Sequence, residues 1–169
     1  KGDAFLAVLL AAIGMIIYIW WRFEFTYGVA AIIALIHDVL VTVGLFFITG
    51  REISLTIIAA LLTIVGYSIN DTIVIFDRIR ENVKVSRKES YFSIINRSIN
   101  ETLSRTSITS LTTLIIVLSL YFFGGSVIKD FAFAFMIGVV FGTYSSIFLA
   151  SSFLVELSKK GQKAKKSRA

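Results

Sequence analysis

Five apolar blocks, at about 4–21, 27–48, 53–76, 107–123 and 131–155, decide what this chain can become. A bilayer hydrocarbon core about 30 Å thick is crossed by roughly 20 apolar residues in a helix. Inside it every backbone N–H and C=O must be satisfied within the structure, which favours unbroken helices. The blocks therefore predict an all-α polytopic membrane protein with five transmembrane helices, and a composition 56% hydrophobic over 169 residues agrees. Proline is absent, so any close approach or bending falls to glycine. Cysteine is absent too and His37 is the only histidine, so neither a metal nor a cofactor is expected.

The formal charge of +6 invites a nucleic-acid reading, which the placement of the charges opposes. Arg22 lies between blocks one and two. Arg78, Arg80, Lys84, Arg87, Lys88, Arg97 and Arg105 lie between blocks three and four, and six more cations follow block five. All of these fall on one side of the predicted membrane, leaving Lys1, Arg51 and Lys129 for the other. The positive-inside bias puts the N-terminus outside and the C-terminus in the cytosol. A first span that begins outside with no signal peptide before it predicts a missing earlier span and an exported domain.

The chain divides into a transmembrane domain, 1–157, and a basic cytosolic tail, 158–169. The tail, "SKKGQKAKKSRA", is too polar to bury and too positive to collapse, which predicts disorder and attraction to anionic membrane lipid. A ribosome or nucleic-acid contact is the lesser alternative. Within 86–104, Phe92, Ile95, Ile99 and Leu103 recur at helical spacing, predicting an amphipathic helix lying on the inner interface. In block two Ala30, Ala34, Asp38 and Thr42 share a face, which turns Asp38 toward protein. In block five Ala134, Gly138, Gly142, Ser146 and Ala150 stand four apart, a small-residue stripe for close helix packing.

The acids inside the apolar blocks are the candidate functional residues. An aspartate at mid-helix costs about 2.5–3.5 kcal/mol on insertion scales, so such residues pair, line a wet cavity or lose their charge. Asp71 lies about 27 Å along block three at 1.5 Å per residue. Tyr67 and Thr63 share its face, Ser68 is close and Asn70 is adjacent. Arg105 opens block four, with Thr109 one turn on, and antiparallel spans could bring Arg105 opposite Asp71. A motion that makes and breaks that pair would swing the proton affinity of the acid. The alternative is a static buried pair that holds helices in register. His37 and Asp38 divide between structural hydrogen bonding and a relay, while Asp77 beside Arg78 reads as interfacial. Ser68 with His37 and Asp38 does not make a protease, because "GYSIN" lacks the Gly-x-Ser-x-Gly turn and an unbroken helix offers no oxyanion hole.

The stretches "VGYSINDTIVIFDRIREN" and "NETLSRTSITSLTT", with "LIHDVLVTVG" and "WRFEF", resemble the signature of the bacterial SecF family, the smaller subunits of the SecD/SecF protein-export complex. The resemblance covers nearly the whole chain but only the last five of the family's six spans, without the first span and the periplasmic domain. It implies part of one half of a resistance-nodulation-division-type bundle in the bacterial inner membrane. The implied partners are SecD, the SecYEG translocon and the translocating polypeptide. It further implies a non-enzymatic role driven by a proton or sodium gradient, with Asp71 and Arg105 as the coupling residues. A passive membrane scaffold and a small-molecule exporter of the same superfamily are the alternatives.

Overall fold

The computed structural model describes residues 2–52, 54–86 and 89–166. With no proline to interrupt them, the apolar blocks wind into α1 (Gly2–Arg22), α2 (Phe25–Ile48), α3 (Leu55–Val85), α4 (Tyr91–Phe123) and α5 (Gly125–Tyr144). A six-residue π-helical stretch, Ser145–Ala150, carries α5 without a break into α6 (Ser151–Lys166). No strand occurs among the described residues. Four helical runs are long and apolar enough to cross a membrane: α2, α3, α4 and Gly125–Ser158. The first helix, α1, has 21 residues.

The reversals between helices are short and have local causes. Gly50, at φ 67°, follows the Thr49 cap of α2 and takes a left-handed conformation that a side chain resists. Gly124 and Gly125 join α4 directly to α5. A Cβ at Gly124 would lie 2.4 Å from the Leu120 carbonyl oxygen, and Gly125 sits at φ 76°. At the start of α4 the Ser90 side chain accepts a hydrogen bond from Ser93 N at 3.2 Å, satisfying one free N–H of the first turn.

Two segments depart from the sequence reading. The part of 86–104 from Tyr91 on does not form a separate interfacial helix, because α4 runs from Tyr91 through Phe123 with no glycine or proline inside it, and residues 87 and 88 lie outside the described ones. At 33 residues it is about 50 Å long at 1.5 Å per residue, and the 31-residue α3 about 47 Å, so both outrun a 30 Å hydrocarbon layer. Their overhanging ends bind each other: Arg78 donates to Glu101 at 2.6 Å, and Asn82 to Glu101 at 2.8 Å and Ser98 at 2.9 Å. Ile94, Ile95, Ser98 and Thr102 are buried there, while Phe92 and Leu103 stay 66% and 40% exposed, so protein meets only part of the predicted apolar face. The tail is also not disordered where described. The α6 backbone stays helical through Lys166, where Lys, Gln and Ala of good helix propensity flank Gly161. Residues 167–169 lie outside the described ones.

Helix α3 is the hub and touches α1, α2, α4 and α5. Lipid removes the hydrophobic drive between helices, so close packing carries the association. Ala30, Ala31, Ala34, Ala60, Ala134 and Ala150 are all fully buried. Toward the basic end an apolar cluster gathers Ile19, Phe23, Tyr27, Phe76, Ile79 and Leu154, with Tyr27 edge-on to Phe76 at 5.3 Å between ring centroids. Toward the other end a smaller cluster holds Phe46, Ile57, Ala60 and Ala134. Ion pairs tie both ends: Arg22 to Asp77 at 2.5 Å, and Arg51 to Asp130, with the Arg51 guanidinium 4.3 Å above the Phe133 ring centre.

Candidate functional site

Between the two apolar clusters lies a polar layer. Helix α2 supplies Asp38 and Thr42, α3 supplies Ser68, Asp71 and Thr72, α4 supplies Ser110, and the π stretch supplies Ser145 and Ser146. Apart from the half-buried Ser110 these groups are buried, and a buried polar group is costly unless it finds a partner inside the bundle.

Asp38 finds several. It is fully buried, and its Oδ2 accepts hydrogen bonds from Ser68 Oγ at 2.5 Å and Ser145 Oγ at 2.8 Å. Its Oδ1 lies 3.1 Å from His37 Nδ1. One turn on, Thr42 Oγ1 donates back to the Asp38 carbonyl at 2.8 Å. Gly142 permits the approach, since a Cβ there would lie 3.1 Å from Ser68 Cβ and 3.6 Å from Asp38 Oδ2. Beneath this, Thr72 Oγ1 and Ser146 Oγ meet at 2.8 Å, and Ser146 also donates to the Ser68 carbonyl at 3.2 Å.

Asp71, one turn from Ser68 on α3, is 3% exposed but far less satisfied. Its Oδ2 has no hydrogen-bond partner among the described residues, and the Ser110 hydroxyl of α4 stands beside the carboxyl. Ser110 is bonded to Thr143 Oγ1 at 2.7 Å, so residues 142–146 reach both acids, Asp38 through Ser145 and Asp71 through Thr143 and Ser110. Arg105 is exposed on α4 and forms no ion pair among the described residues, though it is near enough for its charge to act on Asp71. Two further orphan hydroxyls lie in the same helices, Tyr67 on α3 and Thr106 on α4.

The other sequence candidates scatter. The Tyr67 ring stands edge-on to Phe135 at 5.8 Å. Asn70 and Thr63 are exposed, and Thr109 bonds only within its own helix, to the Arg105 and Thr106 carbonyls. His37 is partly exposed. Ala134, Gly138, Gly142, Ser146 and Ala150 are buried along one line, and at Gly138 a Cβ would come within 2.3 Å of Ile64 Cγ1. No cluster of three or more His, Asp or Glu occurs among the described residues.

Sequence reasoning missed Ser110, Thr143, Ser145 and the π stretch. Serine and threonine are common in membrane helices, so Ser110 and Thr143 carried no distinguishing signal. Ser145 did. A spacing of four residues drifts by about 40° per step on a 3.6-residue helix, so a stripe held over 134, 138, 142, 146 and 150 would wind off its partner. The wider π turn at Ser145–Ala150 counters that drift and brings Ser145 as well as Ser146 inward.

Residues 1–160 match the family model for the protein export membrane protein SecD/SecF, C-terminal region. The protein translocase subunit SecF of Desulfurispirillum indicum is 58% identical over 152 residues, covering 88% of this chain and 48% of the relative. The subunit SecDF of Thermus thermophilus is 51% identical over 169 residues, covering 99% of this chain and 23% of the relative. A crystal structure described as SecDF, a translocon-associated membrane protein from that organism, superposes with a TM-score of 0.88 at 52% identity, over 93% of this chain and 22% of the other. The chain thus spans about half the length of the SecF relatives and less of SecDF.

Proposed function

The chain belongs to the SecD/SecF family of protein-export membrane proteins, and from that membership we propose that it is the membrane part of a Sec accessory subunit that couples an ion gradient to polypeptide export. Asp71 and Arg105 are the coupling residues in this reading. One observation carries it: a carboxyl group 3% exposed at the α3–α4 contact, with one oxygen unpartnered and a cation on the adjacent helix not yet engaged. A structural ion pair would be closed, because leaving a buried charge unpaired is costly. An open arrangement suits a group that takes up an ion and meets Arg105 at another point in a cycle.

Each elementary charge moved through about 100 mV supplies roughly 2.3 kcal/mol, which is about a 50-fold bias on a two-state equilibrium. One acid per subunit is then enough to drive a useful motion. The partners of this reading are a SecD subunit, the SecYEG translocon, the emerging polypeptide and bilayer lipid, with the C-terminus in the cytosol of the bacterial inner membrane. The fused SecDF relatives support the SecD assignment. His37, Asp38, Tyr67, Ser68, Asn70 and Thr109 are supporting polar residues, and the stripe from Ala134 to Ala150 is the surface on which α5 seats.

The test uses the full-length subunit in its complete complex. Asp71→Asn and Arg105→Met are expected to abolish the gradient-dependent part of export while the complex still copurifies. Undiminished export by either variant refutes the coupling role of that residue. Loss of the partner on purification would favour the scaffold reading instead.

A further inference from the structure

Asp38 is more buried than Asp71 and better satisfied, and its carboxyl contacts depend on where a proton sits. The His37 side chain is 31% exposed and that of Asp38 is 1%, so their 3.1 Å contact runs from the edge of the bundle into its interior. Either an imidazole N–H at Nδ1 donates to an ionised carboxylate, or a carboxylic acid donates to an imidazole whose hydrogen is on Nε2. Both arrangements fit the same heavy-atom geometry.

Ser145 has a matching ambiguity. Its single hydroxyl proton has two acceptors within reach, Asp38 Oδ2 at 2.8 Å and the Gly142 carbonyl at 3.1 Å, and can serve one at a time. An ionised carboxylate holds that proton more strongly than a neutral carbonyl, and a protonated carboxyl loses the advantage. Ser145 is the first residue of the π stretch, the irregular turn in this helix run.

We propose that His37 and Asp38 form a proton-binding site separate from Asp71, and that Ser145 registers its occupancy by turning between Asp38 and Gly142. The proton is taken up at the partly exposed imidazole. The imidazolium then passes its Nδ1 proton to Asp38 Oδ1 and is left neutral with hydrogen on Nε2, and no other bond changes. The surroundings leave this proton to the pair. From α3, Asp38 meets Ser68, with Asp71 one turn farther on, and Tyr67 turns to Phe135. From α5 and the π stretch come Gly142, Ser145 and Ser146, none of them charged. Of the other helices touching α2, α1 brings Arg22, which is tied to Asp77, and α6 brings the exposed Glu156. Asp38 forms no ion pair with lysine or arginine among the described residues.

The site adds to the ion-coupled reading and rests on it for its purpose, but its existence is tested without export. Infrared difference spectra of the full-length protein in lipid vesicles are recorded against pH in an Asp71→Asn background, so that any titrating buried carboxyl band is not that of Asp71. A protonated-carboxyl band is expected that disappears in Asp38→Asn and whose midpoint moves by about one pH unit, a tenfold change in proton affinity, in His37→Gln. Should Asp38→Asn not fold, Ser145→Ala, which keeps the acid and removes one donor, is expected to shift the same band. The proposal is overturned if Asp38→Asn leaves every titrating band in place, if His37→Gln leaves the midpoint unmoved, or if the band ignores Ser145→Ala. Export that survives Asp71→Asn would refute the coupling reading and leave this titration standing.

Discussion

Substituting Gly138 by alanine adds one methyl group at the tightest point between α3 and α5. The new Cβ would lie 2.3, 2.6 and 2.7 Å from Ile64 Cγ1, Cδ1 and Cγ2, against an ordinary carbon contact of about 3.5–4.0 Å. Rotating Ile64 gives little relief, because both branches of a β-branched side chain are in the way and its χ1 is restricted in a helix. Overpacking costs about 1–3 kcal/mol, and three contacts this short belong in the upper half of that range. Alanine returns up to about 1 kcal/mol over glycine in helix propensity. The expected net loss is about 1–2 kcal/mol, read as a lowered unfolding midpoint of the full-length protein in detergent micelles. Gly66, with nothing within 4 Å, is the control, and Gly66→Ala is expected to be neutral or mildly stabilising. Ile64→Ala alone should cost about 2–5 kcal/mol, and the double substitution less than the sum by about 1 kcal/mol or more. A neutral Gly138→Ala, or two effects that simply add, would refute the packing account.

Three other perturbations probe separate contacts. Ser68→Ala or Ser145→Ala each removes one donor to the Asp38 carboxyl and should cost about 1.5–3 kcal/mol in unfolding free energy if the acid is ionised; because both share Oδ2, the pair should not add. A double-mutant cycle on Arg51 and Asp130, whose side chains are 26% and 44% exposed, should give a coupling of about 0.2–1 kcal/mol that fades with added salt. Glu101→Gln weakens the acceptor shared by Arg78 and Asn82, and faster amide exchange is expected over 78–85 with little change in the global midpoint.

The membrane helices were legible because lipid imposes a plain requirement, a run of apolar residues: block two lies within α2, blocks three and four overlap α3 and the second half of α4, and block five runs across α5, the π stretch and the start of α6. Asp38 and Asp71 were legible for the converse reason, since a carboxylate in an apolar run has few inexpensive explanations. What stayed hidden depended on partners far away in sequence. Nothing local to Asp38 announces that Ser145, more than a hundred residues later, donates to it. The continuity of 91–104 with block four was missed because amphipathic periodicity does not say whether lipid or protein meets the apolar face. The hydrogen bonds from Asn82 and Arg78 seat Ser98 and Glu101 of α4 on α3, while Phe92 and Leu103 stay exposed, and foreseeing this requires knowing that α3 also overhangs.

The junction at Gly124 and Gly125 has a mechanical corollary. With no slack residues between them, α4 and α5 share one pivot, and the crowded Leu120 carbonyl leaves no room for a bulkier replacement at Gly124. A displacement near Lys129 or Asp130 is therefore expected to move both helices, one bearing Ser110 and Arg105, the other Thr143. The two-residue junction thus leaves little freedom for either helix to shift without the other.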